Sequence, residues 1–74
     1  VNAMSKRSRA AREKRAEIAK ATAELSEVRR SLSEAYRQFD TVTDSATMDV
    51  CIFEISALRS KYSCVIRNLK ALYL

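Results

Sequence analysis

Two runs of apolar residues, spaced alternately three and four apart, decide what this chain folds into. The first run is Ile18, Ala21, Leu25, Val28, Leu32, Ala35 and Phe39. At 3.6 residues per turn only an α-helix gathers such a series into one stripe, whereas a strand of period two would scatter it over both faces. Glu24, Glu27, Arg30, Glu34 and Arg37 occupy the other faces, with Glu27–Arg30, Arg30–Glu34 and Glu34–Arg37 at helical pairing distance. The second run is Met48, Cys51, Ile55, Leu58, Tyr62, Val65, Leu69 and Leu72. It is broader: Val50, Ala57, Cys64 and Ala71 flank it on one side, and Ile52, Ile66 and Tyr73 on the other. An apolar surface covering about half a helix is more than one partner helix covers.

Between the runs lies Asp40-Thr41-Val42-Thr43-Asp44-Ser45. β-branched and short polar side chains compete with helical hydrogen bonds, so this segment predicts a turn. The first helix is expected over about 17–39, the turn over about 40–45 and the second helix over about 46–73. Asp44 or Thr43 is the expected N-cap of the second helix, and Asp49 suits the positive end of its dipole. A short turn makes the two helices antiparallel neighbours, so the predicted fold is an all-α two-helix hairpin. A hairpin encloses one seam only. Val50, Ile52, Ala57, Cys64, Ile66 and Tyr73 are therefore the expected self-association surface of a homodimer, closing as a four-helix bundle. The rival is an extended two-stranded coiled coil in which the turn segment is a hinge. Capping residues between two independent heptad runs favour the hairpin.

Charge divides the chain differently. Residues 5–16 hold Lys6, Arg7, Arg9, Arg12, Lys14 and Arg15 against Glu13 alone, which is the whole net charge of +5. The remainder is electrically neutral. Residues 1–16 thus read as a basic arm ahead of a hairpin domain at 17–74, with Val1-Asn2-Ala3 a vector-derived remnant and Met4 the natural start. The six cations are the candidate contact for nucleic acid or an acidic partner. Residues 5–16 carry no asparagine to read a base edge, and the heptads lack regular leucines, so a basic-zipper reader is not indicated. Alanine is the only apolar residue type among residues 5–16, which gives a lipid surface nothing to bury.

Composition narrows the chemistry. The 74 residues include no glycine, proline, histidine or tryptophan. Phosphate-cradling loops and dinucleotide fingerprints need glycine, and the commonest general base and metal ligand is histidine. Cys51 and Cys64 lie 13 residues apart on one predicted helix, about 20 Å along its axis, too far to bond each other. With no histidine to activate them they are expected as small apolar residues in a core or seam. Asp40, Asp44 and Asp49 have capping or solvation roles, and their spacing does not match a calcium loop. Tyr36, Phe39, Phe53, Tyr62 and Tyr73 read as packing residues, with Phe53 set apart on an otherwise polar face, where it packs against the turn of its own hairpin or marks a contact with a partner. No catalytic residue, metal, cofactor or small-molecule substrate is expected. No apolar run approaches the roughly 20 residues of a membrane span, and no signal peptide is readable. Two thiols without a disulfide framework suit a reducing, cytoplasmic setting.

One resemblance emerges from these residues. Phe39 closes the first helix; Val42-Thr43-Asp44 forms the turn; Asp49, Ile52-Phe53-Glu54, Ala57, Lys61-Tyr62 and Val65-Ile66-Arg67-Asn68-Leu69-Lys70 follow. The pattern, from Leu25 to Leu72, resembles the YaaL-like family of small bacterial proteins, mostly from Firmicutes. Ser45 departs from it, since family members often carry proline after the turn acid. The resemblance implies a small cytoplasmic helical hairpin and no assigned activity. Together these readings lead to a non-enzymatic structural or adaptor protein working through helix–helix contacts. The alternative is a nucleic-acid-associated protein that grips phosphates with its arm.

Overall fold

The computed structural model describes residues 2–74, with side chains from residue 6 onward; the first residue of the expected vector-derived remnant lies outside them. The chain is all-α. Helix α1 runs Asn2–Thr41 and helix α2 Ser45–Tyr73, packed against each other as a hairpin. The molecule is a thin rod of 66 × 15 × 13 Å. Its radius of gyration, 18.3 Å, far exceeds the roughly 11 Å of a compact domain this long.

The two heptad runs form the seam. Ala21, Val28 and Ala35 of α1 are buried, as are Cys51, Ile55 and Val65 of α2. Ile18, Leu25, Leu32 and Phe39, with Met48, Leu58, Tyr62, Leu69 and Leu72, are half-buried along its edges. Small or β-branched side chains at every seventh position of α1 let α2 approach closely, while larger neighbours seal the flanks. Ala21 lines a groove with Asn68 and Leu72, and Leu32 and Tyr36 line another with Arg59 and Tyr62. Early α1 thus meets late α2, and the helices are antiparallel.

The turn is tighter than the sequence suggests, just residues 42–44. Without glycine, α1 ends with no positive-φ residue. Its last carbonyls are satisfied otherwise. The Val42 N–H donates to the Phe39 carbonyl at 3.3 Å, and the Thr41 hydroxyl donates to the Gln38 carbonyl at 3.0 Å. These short-range bonds are the usual way to close a last turn when the left-handed cap is missing. Asp44 then caps α2 in extended conformation, at φ −100° and ψ 146°. Its Oδ2 accepts from the Thr47 N–H at 2.9 Å and from the Thr47 hydroxyl at 2.8 Å. Thr43 does not share this role. Asp49 lies beyond the first turn of α2, which contains no acid, so its expected dipole role is lost.

The largest departure is the start of α1. It begins at Asn2 rather than near residue 17. At 1.5 Å per residue α1 is about 60 Å long and α2 about 43 Å, and the overhang, residues 2–17 of α1 ahead of the first seam residue, is about 24 Å long. Residues 6–17 are all exposed, and Ile18 is the first to meet α2. The arm is therefore a continuation of the helix. Its residues include no β-branched side chain after Val1, and Ala, Arg, Lys and Glu are strong helix formers. Because α1 is already nucleated by packing, adding turns costs no new nucleus.

Candidate interaction surfaces

Two surfaces stand out, one cationic and one apolar. The cationic surface is the overhang. Lys6, Arg7, Arg9, Arg12, Lys14 and Arg15 are all exposed. At roughly 100° per residue they point around the whole circumference, so the overhang is a charged rod rather than a one-sided patch. Farther along, Glu34 and Arg37 form an ion pair at 3.4 Å, with both side chains largely exposed. Such i,i+3 pairs contribute only a few tenths of a kcal/mol.

The expected self-association residues divide between two rows. Val50, Ala57 and Cys64 fall on the side of α2 turned away from α1, and all three are exposed. Ile52, Ile66 and Tyr73 lie roughly 150° around the helix from them, beside the seam. Ile66 is half-buried there, while Ile52 and Tyr73 stay exposed. One flat interface does not hold both rows. A two-sided arrangement, or either row alone, is what the geometry allows.

The rear row gains Phe53, the ring that the sequence sets apart. Phe53 is 74% exposed, so it does not pack on the hairpin's own turn, and Val50 one turn earlier is 63% exposed. The aromatic residues also divide. Phe39 and Tyr62 are half-buried packing residues; Tyr36 is exposed, against the expectation of packing, and Phe53 and Tyr73 are exposed as well. The cysteines part likewise: Cys51 is buried in the seam, and Cys64 is exposed on the rear face, accepting from an Arg67 guanidinium N–H at 3.3 Å. The exposed ring and the exposed valine together form a small apolar patch on the rear of α2.

The acids offer no gathered site. Asp44 uses its carboxylate on the cap, which holds it below the usual carboxylate range through the Thr47 backbone N–H first and the Thr47 hydroxyl second. Among the described residues no three His, Cys, Asp or Glu side chains stand together as metal ligands. Among the same residues no helix is long and apolar enough to cross a membrane.

Known proteins add nothing to this geometry: the chain matches no protein family, no curated protein and no solved structure.

Proposed function

We propose that this chain is a non-enzymatic structural or adaptor module of the cytoplasm, and that its first helix–helix partner is a second copy of itself. The observation that carries the reading is its surface. A compact monomer of 8.4 kDa exposes about 4,600 Å², yet this chain exposes 6069 Å². The excess is on the order of 1,500 Å². The charged overhang accounts for some of it, and that part belongs in water. The rest includes the exposed apolar residues of α2, with Val50 and Phe53 foremost. The seam is also thin for a chain of this length, and small domains commonly make up such a deficit by oligomerising. The likeness to the YaaL-like family is in keeping with a hairpin module and belongs to the same proposal. Light scattering at micromolar concentration tests it: about 17 kDa, or a multiple, is expected from an 8.4 kDa chain, and a well-folded monomer refutes it.

A second reading has its own observation, the cationic rod. Six basic side chains on an exposed helix suit the phosphates of a nucleic acid, contacted without regard to base sequence. Fluorescence anisotropy with a labelled duplex at low salt tests it. Absence of binding there leaves the rod a solubilising extension.

A further inference from the structure

The rear face of α2 carries a second heptad pattern. Val50, Phe53, Ala57, Ser60 and Cys64 are spaced 3, 4, 3 and 4 apart, and all are exposed. This row lies nearly opposite the seam with α1, so α2 is built to pack on both sides. The row is graded in size. Its large apolar members, Val50 and Phe53, precede the middle of the helix; Cys64 and Ala71 follow it. A second copy laid antiparallel sets Phe53 against the partner's small Cys64, and Val50 against the aliphatic stem of the partner's Arg67. A parallel copy opposes Phe53 to the partner's Phe53 and Arg67 to the partner's Arg67.

Charge gives the same answer independently. The rows bordering this face carry Asp49 and Lys70 on one side, Glu54 and Lys61 on the other, all exposed. In both rows the acid comes first and the base last. Antiparallel pairing therefore sets Asp49 against the partner's Lys70, and Glu54 against the partner's Lys61. Heptad geometry requires the two flanking rows and the central row to agree on one register. They do: both ion pairs occur in the register that places Phe53 on the partner's Cys64, Ala57 on the partner's Ser60 and Ala46 on the partner's Ala71. The two-fold axis then crosses α2 near Leu58 and Arg59, at its midpoint, so the helices overlap along their whole length. A parallel pairing instead faces Asp49 with the partner's Glu54.

We propose that α2 pairs antiparallel through this rear face with α2 of a second copy, in the register Phe53 to the partner's Cys64. The inference rests on the self-association proposed above and names its face and direction. Small residues at Ala57 and Ser60 bring the two backbones close at the axis. Phe53 packs its ring on the partner's thiol, a favourable sulfur–aromatic contact. Because of the two-fold axis each layer and each ion pair occurs twice.

A charge swap tests the register. Asp49→Lys and Lys70→Asp should each raise the dimer dissociation constant about tenfold, since two ion pairs become two repulsions. The double variant Asp49→Lys/Lys70→Asp should return to within about twofold of the unaltered chain. The two positions lie about 30 Å apart within one chain, so only an intermolecular pair produces the rescue. In parallel, Cys51→Ala/Phe53→Cys is oxidised with diamide, and a covalent dimer through the partner's Cys64 is expected on a non-reducing gel. Cys51→Ala alone should give none, because its two Cys64 thiols are about 16 Å apart along the pair. A dimer by light scattering that shows neither rescue nor crosslink overturns this face and register, while self-association stands. A monomer throughout overturns both and leaves the face to a helix of another protein.

Discussion

Asp44 and Thr47 hold the start of α2 together: one carboxylate oxygen takes the Thr47 N–H at 2.9 Å and the Thr47 hydroxyl at 2.8 Å. The Asp44 carbonyl meanwhile receives the Met48 N–H at 3.0 Å, the first bond of the helix proper. Both side-chain bonds favour the ionised acid, which is why its pKa falls below the ordinary value of 3.8. A depressed pKa in the folded chain contributes stability that is fully present above the unfolded value and disappears as pH falls through the folded one. The cap should therefore hold at neutral pH and weaken below about pH 4. Asp44→Asn should remove most of that acid dependence, and Asp44→Ala should lower the melting temperature at neutral pH. Thr47→Val, which keeps the backbone bond, should cost less. Thermal melts by circular dichroism at pH 3 and pH 7 check all three.

The seam predicts a different pattern. Ala35 is only 3% exposed where α2 approaches closely, so Ala35→Leu overpacks it at a cost of about 1–3 kcal/mol. Ile55→Ala leaves a hole instead, costing about 2–3 kcal/mol because the thin seam partly collapses around it. Urea denaturation at one fixed protein concentration measures both. Substitutions at exposed Ser26 or Ser33, on α1 and away from the rear face of α2, should fall within about 0.5 kcal/mol of the unaltered chain.

The seam is legible in the amino-acid sequence for a simple reason: a 3–4 spacing can be buried only on one side of a helix. Ile18 through Phe39 and Met48 through Leu72, at that spacing, are all buried or half-buried. Asp44 is legible as one of two caps, because a short acid ahead of a heptad run has few other uses. The overhang is not legible, since an apolar pattern marks a helix start only at its first apolar residue. Residues 6–17 form helix by propensity and by continuity with a packed segment, and neither leaves an apolar stripe. The tightness of the turn is hidden for a similar reason: Thr41 and Ser45, poor helix formers alone, are carried by the helices they end and begin. The two flanks of α2 look like one surface in the sequence, yet Val50 and Ile52 face opposite ways despite lying two residues apart. Phe53 stands out as an exception in the sequence, and its exposure makes that exception a member of a row.

The overhang has its own test. Deleting residues 5–15 should leave the heptads and any dimer intact, because the first seam residue is Ile18. If nucleic acid is bound, the deletion should abolish it. For the full chain, about four phosphates per rod give a slope of log K against log salt near −3 to −4. Anisotropy titrations between about 50 and 200 mM salt would show a loss of roughly two orders of magnitude. A flat salt response would argue against phosphate contact through Lys6 to Arg15.

The central claim is that α2 leaves a face uncovered for a second copy, and sedimentation equilibrium from about 1 to 100 μM reads it most directly, with Ala57→Lys run beside the unaltered chain. Ala57 is exposed within the hairpin but sits at the proposed axis, so the added ammonium disturbs the pair and not the fold. The account predicts about 17 kDa for the unaltered chain, from a protomer of 8.4 kDa, and a shift toward 8.4 kDa for Ala57→Lys with an unchanged circular dichroism spectrum. A folded 8.4 kDa monomer across the whole range, or a dimer indifferent to Ala57→Lys, would contradict it.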